Sequence, residues 1–97
     1  MNSISFVWNK KKANANHKKH KVTFEEAKAV FIDPNGRMIY DPGHSNDEER
    51  FILLGVSSAL RILAVCHCYR KENQVIRIIS ARKATKTEQK QYRSFLP

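Results

Sequence analysis

The apolar positions change their period near residue 36, and the predicted elements follow from that change. "ISFVW" (4–8) alternates and is rich in β-formers, which predicts a short first strand. Asn9 suits an N-cap for the basic helix "KKKANANHKKH". "TFEEAKAVF" (23–31) opens with Thr23 and Glu26 at capping-box spacing, and Phe24, Ala27, Val30 and Phe31 recur at helical spacing. "DPNG" (33–36) ends that helix with turn residues. Strand-like runs then follow at 37–41, 50–57, 61–70 and 74–82, with the polar loop "PGHSNDEE" at 42–49. The connections at 58–60 and 71–73 are too short for parallel crossovers and predict hairpins. Thr85 and Glu88 form a second capping box and open a last helix over roughly 86–95.

The order β-α-α-β-β-β-β-α predicts an α+β fold. It has an antiparallel sheet of four to five strands, with helices mainly on one face and the other face left available. A chain of 97 residues predicts a single domain over 1–97. In the last strand, alternation puts Ile76, Ile78 and Ser80 on one side and Val75, Arg77, Ile79 and Ala81 on the other. A guanidinium is costly to bury unpaired, so Arg77 predicts the open face. By the same logic Arg61 and His67 join Arg77, and Ala64, Cys66 and Cys68 turn to the helices. Arg82 has the opposite parity and meets Arg77 only if the strand ends or twists near Ala81.

Charge sharpens the picture. Eighteen Lys and Arg against nine Asp and Glu give a formal net charge of +9, which points to a polyanionic partner, nucleic acid first. No apolar run approaches the roughly 20 residues of a membrane span, and the polar start does not read as a secretory signal, so the expected location is the cytoplasm. Cys66 and Cys68 fit that compartment as free thiols.

Four constellations could carry chemistry. Arg61, Arg77 and Arg82, with Arg50, Lys83 and Arg93 nearby, suit phosphate binding and stabilisation of charge developing on it. His44, Glu48 and Glu49 lie just before a strand and are acid–base residue types, though a solvated loop explains them equally. Cys66, His67 and Cys68 on a strand split between faces, and His17 and His20 lie elsewhere, so no metal site is expected. Lys18 and Lys19 belong to an all-lysine basic helix suited to steering a polyanion.

Three motifs in order, "NHKKHKVTFEEAKAVFIDP" (16–34), "DPGHSNDEERFILLGVS" (41–57) and "IRIISARKATKTEQKQY" (76–92), resemble the BrnT toxins of bacterial type II toxin–antitoxin systems. Lys21 stands where that family usually has Gly, Leu60 where a Gly would precede Arg61, and Asn9 where Asp is frequent. The resemblance implies a RelE-like ribonuclease fold and a cofactor-free messenger-RNA endonuclease that uses the RNA 2′-hydroxyl as nucleophile. It also implies neutralisation by a BrnA-like ribbon-helix-helix antitoxin, in an assembly of two toxins and two antitoxins that reaches operator DNA through the antitoxin. Under that reading Arg61, Arg77 and Arg82 are the cations, and His44, Glu49 or His67 supplies the acid and base. Tyr92 stacks a base, with Arg50, Lys83, Arg93, Lys18 and Lys19 on the RNA. A non-catalytic basic module that binds nucleic acid or an antitoxin is the alternative.

Overall fold

A computed structural model describes residues 4–40, 49–72 and 74–97. Strand β1 (Ser5–Val7) leads into α1 (Lys10–His20), α2 (Phe24–Lys28) and a 3₁₀ turn (Ala29–Ile32). Then come β2 (Arg37–Tyr40), β3 (Phe51–Val56), β4 (Ile62–Arg70), β5 (Val75–Lys83) and α3 (Lys86–Ser94). The five strands form one sheet in the order β1-β5-β4-β3-β2. The pairs β2–β3, β3–β4 and β4–β5 are antiparallel, as the short connections require, whereas β1 joins β5 in parallel. The connection between these two parallel neighbours is the long stretch from α1 to the end of β4.

Caps set the helix ends. Asn9 accepts from the Lys12 amide at 3.0 Å, and Thr23 accepts from the Glu26 amide at 3.1 Å. Thr85 and Glu88 close a reciprocal box at the start of α3. The Thr23 box is only half made, because the Glu26 carboxylate turns to Arg61 and Ser57. α1 ends at Lys21 in the left-handed conformation (φ 59°), and Leu60 adopts φ 61° in the β3–β4 turn. Both departures from the family's glycines therefore fall where glycine is cheapest.

Most of the core lies between the sheet and the layer of α1, α2 and the 3₁₀ turn. Phe24, Ala27 and Val30 meet Leu53, Leu63, Val65, Ile76, Ile78 and Ala81 there. Gly55 permits the close approach: a Cβ at this position would lie 2.8 Å from Val30 Cγ1 and 3.2 Å from the Val30 carbonyl oxygen. Asn16, the buried residue of α1, donates to the Ala81 carbonyl (2.8 Å) and accepts from the Ala81 amide (3.1 Å). It stands in for a strand partner beyond the end of β1, where the β5 edge would otherwise be bare.

The last helix crosses to the other face. There Tyr92 packs with Leu54 and Ala64, flanked by Ile39, Ile52, Val56 and Ile62. Its hydroxyl donates to Asp33 Oδ2 at 2.6 Å, and the Arg37 guanidinium stacks 3.4 Å from the Phe95 ring just beyond the helix. The second face is thus covered over β2 and β3. This explains why β3 is apolar on both sides.

β4 faces the opposite way from the sequence expectation. Leu63, Val65 and His67 are buried under the helical layer, and Ala64, Cys66 and Cys68 occupy the second face. The large side chains bury more apolar area and take the deep core, while the small set leaves room on the far side.

Candidate functional site

That room is a groove of about 260 Å³. Ile52, Ala64, Cys66 and Ile79 give it an apolar lining, and Arg50, Ser80 and Arg82 add polar groups. Arg82 reaches it through a bulge. Cys66 pairs with Ser80 but His67 pairs with Ile78, so Ile79 is an extra residue in β5. The bulge resets the alternation. Arg77, opposite Cys68, and Arg82, opposite Ala64, consequently share the groove's face despite their opposite parity.

Arg82 is held in place. Nη1 and Nη2 donate to the two Glu88 carboxylate oxygens at 2.7 and 3.0 Å. Those bonds hold the Glu88 carboxyl below the usual range against the opposing effect of burial, with the Thr85 amide assisting. Glu88 therefore caps α3 and orients Arg82 at the same time.

Arg61 does not join this set. It precedes β4, so strand alternation does not govern it, and it swings to the helical side. Nε and Nη2 grip the Glu26 carboxylate, Ser57 Oγ donates to the same group at 2.6 Å, and Nη2 also donates to the Lys21 carbonyl at 3.0 Å. The bonds from Arg61 are the chief reason that Glu26 titrates low. This network ties the end of α1, α2 and the β3–β4 turn together.

His67 is also on the helical side and fully buried. Its Nδ1–H donates to the Val65 carbonyl at 3.0 Å, which leaves Nε2 to accept from the Tyr69 hydroxyl at 3.3 Å. Phe31 and Tyr69 meet the ring edge-on, with centroids 4.8 and 5.2 Å away. Burial pushes the imidazole below its ordinary value, so it stays neutral and out of reach of substrate.

The remaining expected residues scatter. Tyr92 is 4% exposed and bonded to Asp33, so it cannot stack a base. Burial, followed by that bond, pushes its pKa up to about 12. Arg93 is exposed on α3 and lines a separate depression with Lys86 and Lys90. Lys83 is exposed on the helical side, and Lys18 and Lys19 are exposed on α1. Glu49 is exposed beside the half-buried Arg50. His44 and Glu48 lie outside the described residues. Cys66 and His67 point to opposite faces of β4.

Alternation puts Ile79 with Arg77 on the open face, whereas it predicts Cys66 and Ser80 under the helices. Cys66 reaches the groove because β4 faces the other way, and Ser80 because the bulge resets β5. Among the described residues no helix is long and apolar enough to cross a membrane.

The comparisons agree with this architecture. The crystal structure of the Brucella abortus ribonuclease toxin BrnT matches with a TM-score of 0.64 and 21% identity, over 87% of this chain and 100% of that one. A comparison with curated proteins gives no match. The family model for the ribonuclease toxin BrnT of type II toxin–antitoxin systems matches residues 8–88. With the match running from Trp8 to the Glu88 that holds Arg82, the chain belongs to the BrnT family of ribonuclease toxins.

Proposed function

We propose that this chain is a metal-independent endonuclease that cleaves messenger RNA at the groove and so stops translation. The observation that supports it is the gathering of cations: Arg50 and Arg82 line one groove, and Arg77 shares its sheet face. In the reaction the RNA 2′-oxygen attacks the adjacent phosphorus as a base takes its proton. The 5′-oxygen leaves with a proton from an acid, giving a 2′,3′-cyclic phosphate and a 5′-hydroxyl end. The guanidiniums of Arg77 and Arg82 offset the extra charge on the phosphate, with Arg50 beside them. His44 and Glu49 are the acid–base candidates, since His67 is sealed in the core. Glu49 is adjacent in the chain to Arg50, which brings a carboxylate near the groove. Arg61 serves the fold through Glu26 instead of the phosphate.

The type II family implies an antitoxin. We assign that role to a BrnA-like ribbon-helix-helix protein that neutralises the toxin in the cytoplasm as a two-plus-two assembly and carries it to operator DNA. A purified chain incubated with a labelled transcript in the presence of EDTA tests the chemistry. Cut RNA with cyclic-phosphate ends is expected, and Arg77→Ala should lose roughly 10²–10³ in rate, by analogy with oxyanion-hole donors, while staying folded. Intact RNA that is nevertheless bound would favour the non-catalytic module.

A further inference from the structure

The cations are not confined to the groove. At the end of the sheet where β4 begins and β5 ends, Arg82 and Lys83 are consecutive in β5. Arg82 faces the groove, and Lys83, opposite Leu63, faces the helical side. There Lys83 acts electrostatically on Glu26, whose carboxylate is gripped by Arg61. Arg61 in turn donates to the carbonyl of Lys21, and exposed Lys18 and Lys19 lie within a turn of that residue on α1. A row of cations therefore runs from the groove around the end of the sheet to its far side. Glu26 and Glu88, which lie along the way, are both held by arginines.

At the far end of the row the exposed side chains of Lys18 and Lys19 take no part in the core. Asn16 is the buried residue of α1, and no acid stands between Asn9 and Thr23 to balance its lysines. Lys18 and Lys19 lie in the last turn, where cations suit the helix dipole, but six lysines between Lys10 and Lys21 without an acid repel one another, and packing does not account for the set. Lysine ammoniums are hydrated point charges on flexible stems, suited to following a phosphate chain without reading its bases.

We propose that Arg82, Lys83, Lys21, Lys18 and Lys19 form a track for the phosphate backbone of single-stranded RNA leaving the groove. Recognition then extends beyond the cleaved phosphate and depends on RNA length and salt. The inference rests on the groove being the RNA site. Binding is therefore measured with 2′-O-methyl RNAs, which cannot be cut, of about four and about sixteen nucleotides, spanning typical single-strand site sizes. The Lys18→Ala/Lys19→Ala chain is compared with Lys11→Ala/Lys12→Ala, which removes the same charge at the other end of α1. The first variant should lose affinity for the long RNA only, with its log–log salt slope shallower by about 1.4 for two lost phosphate contacts. The second should keep the wild-type slope. Equal losses in both variants, an equal loss on the short RNA, or no loss would overturn the track. If the wild-type chain binds with this length dependence yet cuts neither all-ribose RNA, the track stands and the nuclease reading falls.

Discussion

Arg82 clasps Glu88 with both terminal nitrogens, and Glu88 is at the same time the N3 residue of the α3 capping box. One carboxylate thus fixes a helix start and the cation of the proposed site. The two duties can be separated by mutation. Thr85→Ala removes the cap and keeps the clasp, at a cost of about 0.5–2 kcal/mol of stability. Glu88→Ala removes the clasp and the carboxylate half of the box, and keeps the bond from the residue-88 amide to Thr85 Oγ1. If Arg82 acts on phosphate, Glu88→Ala should lower kcat several-fold more than Thr85→Ala at matched folded fraction, as measured on a labelled transcript after melts of each variant. Equal activities would assign the clasp to folding alone.

The legible and illegible parts of the fold divide by range. Asn9, Thr23 and Thr85 announce helix starts because a cap is a contact over three residues, and hairpins follow from short connections. The parallel pairing of Phe6 with Ile76 spans seventy residues and has no local signal. Nor does the Tyr92–Asp33 bond, which carries α3 to the second face. For β4, alternation defines two sides without saying which is inner. Reading Arg61 and His67 as polar markers of an open face inverts it, because a neutral histidine with both ring nitrogens bonded is tolerated in a core. The arginines of the groove were legible as residues. That Arg77 and Arg82 share a face was legible only as a condition, an irregularity near Ala81, and the bulge at Ile79 supplies it.

Arg61 provides the contrast to Arg77. Its guanidinium holds Glu26, and removing it leaves a partly buried carboxylate with Ser57 as its remaining side-chain partner in the network. Arg61→Ala should therefore destabilise by about 1–3 kcal/mol, the range for leaving such a group undersatisfied. Activity per folded molecule should stay near wild type on a short RNA. Chemical denaturation followed by a cleavage assay at a stabilising temperature checks this. A stable Arg61→Ala protein that no longer cuts RNA would return Arg61 to the site.

Leu60 is 85% exposed and sits at φ 61° in the β3–β4 turn. A left-handed conformation costs a non-glycine residue about 1–2 kcal/mol, against about 0.5–1 kcal/mol of extra chain entropy lost by glycine. Leu60→Gly should accordingly raise the melting temperature slightly and leave RNA cleavage unchanged. Leu60→Val, β-branched and worse in that region, should lower it. The order Gly, Leu, Val in a thermal melt is the expected result; Val at or above Leu would mean that the turn relaxes.

His67 makes stability depend on pH in a defined window. Burial holds its folded pKa below the ordinary 6.5, so the unfolded chain takes up a proton first as the pH falls. The stabilisation is fully present above about pH 6.5 and is lost as the pH drops toward the lowered folded value, by at most about 1.4 kcal/mol per pH unit for one proton. Glu26, Asp33 and Glu88 are held below their ordinary carboxylate values and leave the upper part of this window to the imidazole. His67→Leu loses both ring hydrogen bonds and should be less stable than wild type at pH 7.5. Its melting temperature should nevertheless fall less between pH 7 and pH 5.5, and the two curves should converge. Parallel curves would show that His67 does not titrate differently in the folded and unfolded chains.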